Sequence, residues 1–139
     1  MLLWQEKFET GHSTIDKQHK MLVSYINRLE GLLSTTNPNR QDCEFIISLV
    51  DFMESYVESH FRFEEQCMDS YRCPAHQINK LAHEEFLQFF RQFKERYEAE
   101  GFRQEILADL HQNTHGWVLG HILQIDLQLK DCINRRPQL

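Results

Sequence analysis

Six residues of this chain could act together on a metal: His19, His60, Glu64, His83, His121 and Asp126. His60 and Glu64 are four apart, so on a helix they stack one turn apart on the same face. Such a pair can offer an imidazole nitrogen to one metal and a carboxylate that bridges to a second. Asn79 and His83 repeat the spacing further on. Asp126 follows His121 by five residues, a step of about 140° around an ideal helix, so it needs a long reach or a local distortion to join the others. Four imidazoles and two carboxylates without a thiolate suit iron, manganese or zinc and are too rich in nitrogen for calcium or magnesium. They exceed what one tetrahedral zinc can use. Two metals bridged by two carboxylates would use them all.

Each residue also has a plainer reading. A lone H-x3-E on a helix is usually a surface pair, and a lone inward histidine is usually a satisfied core group. What favours a shared site is where these polar residues fall, because each interrupts an apolar stripe of helical period. Ile15, His19, Leu22, Ile26, Leu29 and Leu33 mark a first helix, with Ser13 or Thr14 as its cap and Asn37-Pro38 as its stop. A second runs from about residue 39 to 70 through Ile46, Leu49, Met53, Tyr56, His60, Glu64 and Cys67. A third has Pro74 in its first turn, then Asn79, His83, Phe86, Phe90, Phe93 and Tyr97, and closes at Gly101. A fourth begins near Phe102 and carries Leu107, Leu110, Thr114, Trp117, His121 and Ile125 on one face, ending before Pro137. Buried Glu and His are costly unless paired or bound to metal, and here all four helices supply them.

The expected fold class is therefore all-α: an antiparallel up-down-up-down four-helix bundle with an N-terminal arm. Residues 1–12 form the arm, docked by Trp4 and Phe8, and residues 13–135 form the bundle, the whole of 1–139 being read as a single domain. Ten Phe, four Tyr and two Trp supply a core, while five Gly and three Pro suit long helices with short turns. The net charge of −6, with Arg135-Arg136 as the only basic pair, argues against nucleic acid or an anionic membrane as partner. No apolar run is long enough for a membrane span and none opens the chain as a leader, so a cytoplasmic protein is expected. Its cysteines (Cys43, Cys67, Cys73, Cys132) are then expected to be reduced thiols, with Cys67 and Cys73, which flank a helix–helix turn, as the alternative redox pair.

At this point the chain resembles the hemerythrin family, and specifically bacterial hemerythrins. Gly11 to Leu29, with Ile15-Asp16 and Gln18-His19, resembles the family's first-helix signature. His60-Phe61-Arg62-Phe63-Glu64-Glu65 followed by Met68 is similar to its H-F-x-x-E-E-x-x-M motif, and Trp117, His121-Ile122 and Asp126 to its W-x3-H-I-x3-D motif. Trp4 and Phe8 fit its N-terminal arm. The resemblance implies two iron ions, oxo- or hydroxo-bridged, cycling between Fe2+ and Fe3+. It makes Glu64 and Asp126 the bridging carboxylates. His19 and His60 would bind the iron that keeps an open site for O2, and His83 and His121 would bind the other.

One position departs from the pattern. The family's third helix usually carries H-x3-H, and this chain has Asn79 where the first of those histidines belongs. An amide oxygen is a weaker ligand than imidazole, so the second iron is expected to be weakly capped by Asn79 or open to water or an exogenous ligand. His76 is the alternative ligand, but it lies seven residues from His83 and would strain a shared site. His12, His111 and His115 are read as arm or surface residues. Leu22, Ile26, Trp117, Leu119 and Ile122 are expected to wall the pocket, with a smaller residue at Leu119 speeding autoxidation.

The reading that results is a non-haem di-iron domain that binds O2, responds to oxygen or redox state and autoxidises readily. Domains of this kind resemble those found beside signalling modules such as diguanylate cyclases. The alternatives are a di-iron enzyme reducing peroxide or NO, and an O2 carrier or store. For the enzyme reading, Glu65 is expected to project about 100° away from Glu64, as a surface or outer-sphere residue.

Overall fold

The structure, a computed structural model, describes residues 1–35 and 37–134. The Arg135-Arg136 pair and the expected end of the bundle at residue 135 lie outside the described residues. A short 3-10 turn, Glu6–Phe8, is followed by helices α1 (Ser13–Leu32), α2 (Arg40–Ser70), α3 (His76–Glu100) and α4 (Gln104–His121). A π-helical turn, Ile122–Asp126, then leads into α5 (Gln128–Asn134). Helix α1 packs on α2, α2 on α3, α3 on α4 and α4 on α1, closing the ring of a four-helix bundle. None of the described helices is long and apolar enough to cross a membrane.

Local chemistry sets the boundaries. Helix α1 is capped by His12 rather than by Ser13 or Thr14: its Nδ1 accepts from the Ile15 N–H at 3.4 Å. The cap falls there because Thr10 donates both N–H and Oγ–H to Asp16 Oδ1, at 2.8 and 2.9 Å, and Gly11, at φ +88°, turns the chain between them. Asn39 and Asp42 form a reciprocal capping box at the start of α2. At its end Arg72 takes a left-handed conformation, and the Cys73 N–H reaches back to the Met68 carbonyl at 2.8 Å. Pro74 lies in this turn, just before α3 rather than inside its first turn.

The fourth helix differs most from expectation. It does not run on from residue 102: after His121 the Leu127 N–H bonds the Ile122 carbonyl, five residues back, at 3.1 Å. As a result Asp126, Leu129 and Cys132 face inward, whereas Ile125, expected on that stripe, is only half-buried.

Among the described residues, three apolar clusters hold these elements. The largest joins all four long helices through Leu29, Ile46, Phe86, Phe90, Leu107 and Leu110, each almost completely buried. At the other end, Ile15, Met68, Ala75 and Leu129 pack with Cys73 and Cys132. Those two cysteines form a disulfide with Cα atoms 5.5 Å apart, leaving Cys43 and Cys67 free. This corrects the expectation of four reduced thiols, and it pairs Cys73 with Cys132 rather than Cys67. The partners are 59 residues apart in sequence, so only the fold shows that they are neighbours.

The arm docks through the third cluster, where Phe8 packs with Ile26, Val118 and Ile122 while Trp4 meets Phe8 edge-on. Phe8 is 2% exposed. Replacing it with alanine is expected to lower stability by about 3 kcal/mol, the lower end for a buried phenylalanine. Chemical denaturation checks this, and a loss near zero would mean that the arm does not dock in solution.

Candidate metal centre

The six sequence-predicted donors meet in the middle of the bundle. His19 comes from α1, His60 and Glu64 from α2, His83 from α3, His121 from the end of α4 and Asp126 from the π turn. All are buried, at 7% exposure or less. Their donor atoms fall into two groups, one of His19, His60 and Glu64, the other of Glu64, His83, His121 and Asp126. Glu64 belongs to both. Its Oε2 lies 3.0 Å from His19 Nε2 and 3.6 Å from His60 Nε2, and its Oε1 lies 3.3 Å from His83 Nε2. Asp126 has the same two-sided placement, with Oδ2 3.2 Å from His19 Nε2 and Oδ1 3.2 Å from His121 Nε2. The π turn accounts for this reach: wound five residues to the hydrogen bond, it brings residue i+5 back over residue i, where an α-helix would bring i+4.

For two of the rings, outer partners fix which nitrogen faces inward. Gln18 Oε1 accepts from His60 Nδ1–H at 2.7 Å, and Glu65 Oε2 takes the His83 Nδ1–H at 2.9 Å, which leaves both Nε2 atoms directed at the centre. Glu65 takes the outer-sphere one of the two places expected for it, whereas Gln18 is marked in the sequence only by standing next to His19. Glu65 does diverge from Glu64, as helix geometry demands, and so meets the back of a histidine on the neighbouring helix. Aromatic plates hold the rings flat: Phe61 stacks on His83 at 3.7 Å between centroids, and Trp117 on His121 at 4.3 Å.

Asn79 is fully buried among the donors. Its Nδ2–H2 donates to Glu64 Oε1 at 2.9 Å and to Met68 Sδ at 3.2 Å, while Oδ1 lies 2.6 Å from His121 Nε2. Turning the amide over would set its oxygen against the Glu64 carboxylate, so the carboxylate orients it. His76 sits at the first turn of α3 and is not among the converging donors.

Leu22, Trp117 and Ile122 line the narrow space beside the histidines, together with Val57, Phe61, Phe86 and Val118, which periodicity alone did not separate from ordinary core. Ile26 and Leu119 do not line it. They pack in the arm cluster with Phe8, while Leu22 and Val57 lie against the space itself.

The centre is electrostatically polarised. Burial opposes charge on His19, but hydrogen bonds and attraction from Asp126 and Glu64 outweigh it and raise its pKa to about 10. His83 is also raised: burial again opposes, and Glu64 and Glu65 prevail. Burial dominates at His60 and, with the neighbouring histidines, pushes it down to about 3. Glu64 is held well below the usual carboxylate range, the surrounding histidines overcoming its burial.

This arrangement fits cations in place of protons. Asp126 Oδ1 and His19 Nδ1 are buried without an aligned hydrogen bond, and the Nε2 atoms of His83 and His121 point at each other 3.2 Å apart. A metal taken up through His19 must displace its proton. That proton stabilises the metal-free fold fully below pH 6.5 and ceases to as the pH passes about 10. Loading ferrous iron at neutral pH is therefore expected to release at least one proton per chain, with affinity rising about tenfold per pH unit from this group alone. An indicator dye in weak buffer measures it, and uptake without acidification would contradict the assignment.

Comparison with known proteins agrees with the geometry. The hemerythrin HHE cation binding domain matches residues 10–133. A bacteriohemerythrin of Stenotrophomonas maltophilia is 27% identical over 96% of this chain and 82% of its own length. That of Pseudomonas aeruginosa is 30% identical over 95% and 81%, and that of Clostridium acetobutylicum 27% over 94% and 100%. A bundle whose helices converge histidines and carboxylates in two groups, matched along nearly its whole length, belongs to the hemerythrin family and is a di-iron, O2-binding domain.

Proposed function

We propose that this domain responds to oxygen or redox state rather than carrying O2 reversibly, and that it regulates a linked signalling output of the diguanylate cyclase kind. In this reading His19 and His60 hold one iron, His83 and His121 the other, and Glu64 and Asp126 bridge them. The observation that carries it is Asn79. Its Nδ2 is committed to Glu64 and Met68, and only a weakly donating amide oxygen is left to face the His83–His121 side. That iron then has a labile position, accessible to water, anions and oxidants.

When bound, the iron pair supplies electrons and the means of binding O2. The protein's own groups hold His60 and His83 in one tautomer through Gln18 and Glu65, and wall the narrow space beside the histidines with Leu22, Val57, Phe61, Phe86 and Trp117. They also place two carboxylates where a change in iron charge would pull on α2 and on the turn after α4.

The test is to reduce the iron-loaded protein anaerobically, admit air and follow the visible charge-transfer spectrum. Rapid conversion to a diferric spectrum that does not revert when O2 is removed supports a redox-responsive centre. A stable spectrum that reverses over many cycles would make the domain a carrier and overturn the proposal.

A further inference from the structure

The disulfide lies outside the metal centre, yet it joins the segments that carry it. Cys73 belongs to the turn between α2 and α3, nine residues after Glu64 and six before Asn79; Cys132 lies on α5, six residues after Asp126. Both are nearly buried, at 5% and 4% exposure. Around them Ile15, Met68, Ala75 and Leu129 complete one apolar cluster, and Met68 is also the residue whose sulfur accepts from Asn79. Helix α5 is only seven residues long, too short to hold its shape by itself. Its position therefore depends on what fastens it, and Leu129 and Cys132 are its two buried residues. The π turn that presents Asp126 leads directly into this helix.

We propose that Cys73 and Cys132 form a reversible dithiol/disulfide redox site, distinct from the iron centre, that latches α5 to the α2–α3 turn and so governs how firmly Asp126 is held. Closing the latch removes two electrons and two protons from the thiols and forms one S–S bond. Opening it requires a dithiol reductant, which delivers two electrons and two protons and leaves as its own disulfide. The Cα separation of 5.5 Å lies within the range a disulfide spans, so neither backbone needs to move for the bond to form. Once it opens, α5 loses its covalent tie to the α2–α3 turn, and the π turn loses that anchor at its far end. The link to the iron rests on the reading of Asp126 as a ligand; the thiol chemistry does not.

The test uses the iron-loaded protein equilibrated in dithiothreitol redox buffers, with thiols counted by alkylation and peptide mass spectrometry. In the oxidised protein Cys43 and Cys67 should be alkylated and Cys73 and Cys132 linked, with all four alkylated after reduction. Reduction should also lower amide protection in α5, and speed iron release to a chelator, each by at least about tenfold, a part of the roughly thousandfold that closing a long loop can contribute. Cys132→Ser, and separately Cys73→Ala, should fix the fast-release state and make it insensitive to dithiothreitol. Finding Cys73 and Cys132 as thiols throughout would overturn the proposal, and so would unchanged α5 protection across a disulfide that does form. If α5 loosens while iron release stays constant, Asp126→Ala separates the remaining cases. Faster release in that variant overturns the latch, because the ligand matters and α5 does not control it. No change in that variant removes Asp126 from the ligand set and with it the latch's action on iron.

Discussion

Replacing Glu64 with alanine is expected to reduce bound iron from two per chain to one or none. Glu64 is the only residue common to both donor groups, with one oxygen toward His19 and His60 and the other toward His83. Without it, His19 keeps Asp126, His83 keeps the outer Glu65 and the attraction of Asp126, and His60 loses the anion that offsets its neighbouring imidazoles. The metal-free variant should also lose stability by roughly 3–5 kcal/mol, the usual effect of stripping one partner from a buried charge cluster. Glu64→Gln keeps the volume and half the acceptor capacity, so it separates ligation from packing: iron content should fall as far, while the fold should suffer less. Elemental analysis beside far-ultraviolet circular dichroism decides the matter. Two irons retained in a folded Glu64→Ala protein would show that the bridge lies elsewhere.

The second large effect is expected from Asn79→His. An imidazole here would give α3 two histidines four residues apart, on the face that already meets Glu64 and His121. It would fill the labile position with a stronger donor and remove the amide hydrogen bond to Glu64. Spectral decay after air is admitted should slow by on the order of tenfold, the scale on which even the outer partners of a metal site act. Equal decay in the two proteins would mean that Asn79 does not set the rate, and attention would move to the walls at Leu22 and Val57. The larger ring must also be housed beside Met68, which is completely buried, so the melting temperature should be recorded with the kinetics.

Much of this was legible in the sequence because the bundle imposes a period and the metal site violates it. Polar residues at His19, His60, Glu64, Asn79, His83 and His121 occupy positions that packing alone would fill with Leu or Phe, and all are buried. What periodicity could not give was anything set by distance along the chain or by backbone irregularity. The Cys73–Cys132 contact joins elements 59 residues apart. Gln18 and Glu65 act across helix interfaces whose rotation depends on side-chain packing. Ile26 and Leu119 share the apolar character of Leu22, yet they pack in the arm cluster and do not line the space beside the histidines. The five-residue step from His121 to Asp126 was visible as an anomaly, but its resolution by a π turn was not, since no residue type marks such a turn.

That turn amounts to a single-residue insertion that the helix has absorbed in one place. With one residue fewer, His121 and Asp126 would stand four apart on an unbroken helix, as His60 and Glu64 do. With the residue present but the turn wound as α-helix, everything beyond it would fall out of phase by about 100°. Asp126 would leave the centre and Cys132 would swing away from Cys73 in the same rotation. The bridging carboxylate and the distant cross-link thus share one phase origin, and a mutation that only shortens the hydrogen-bond step after Ile122 would cost the protein both.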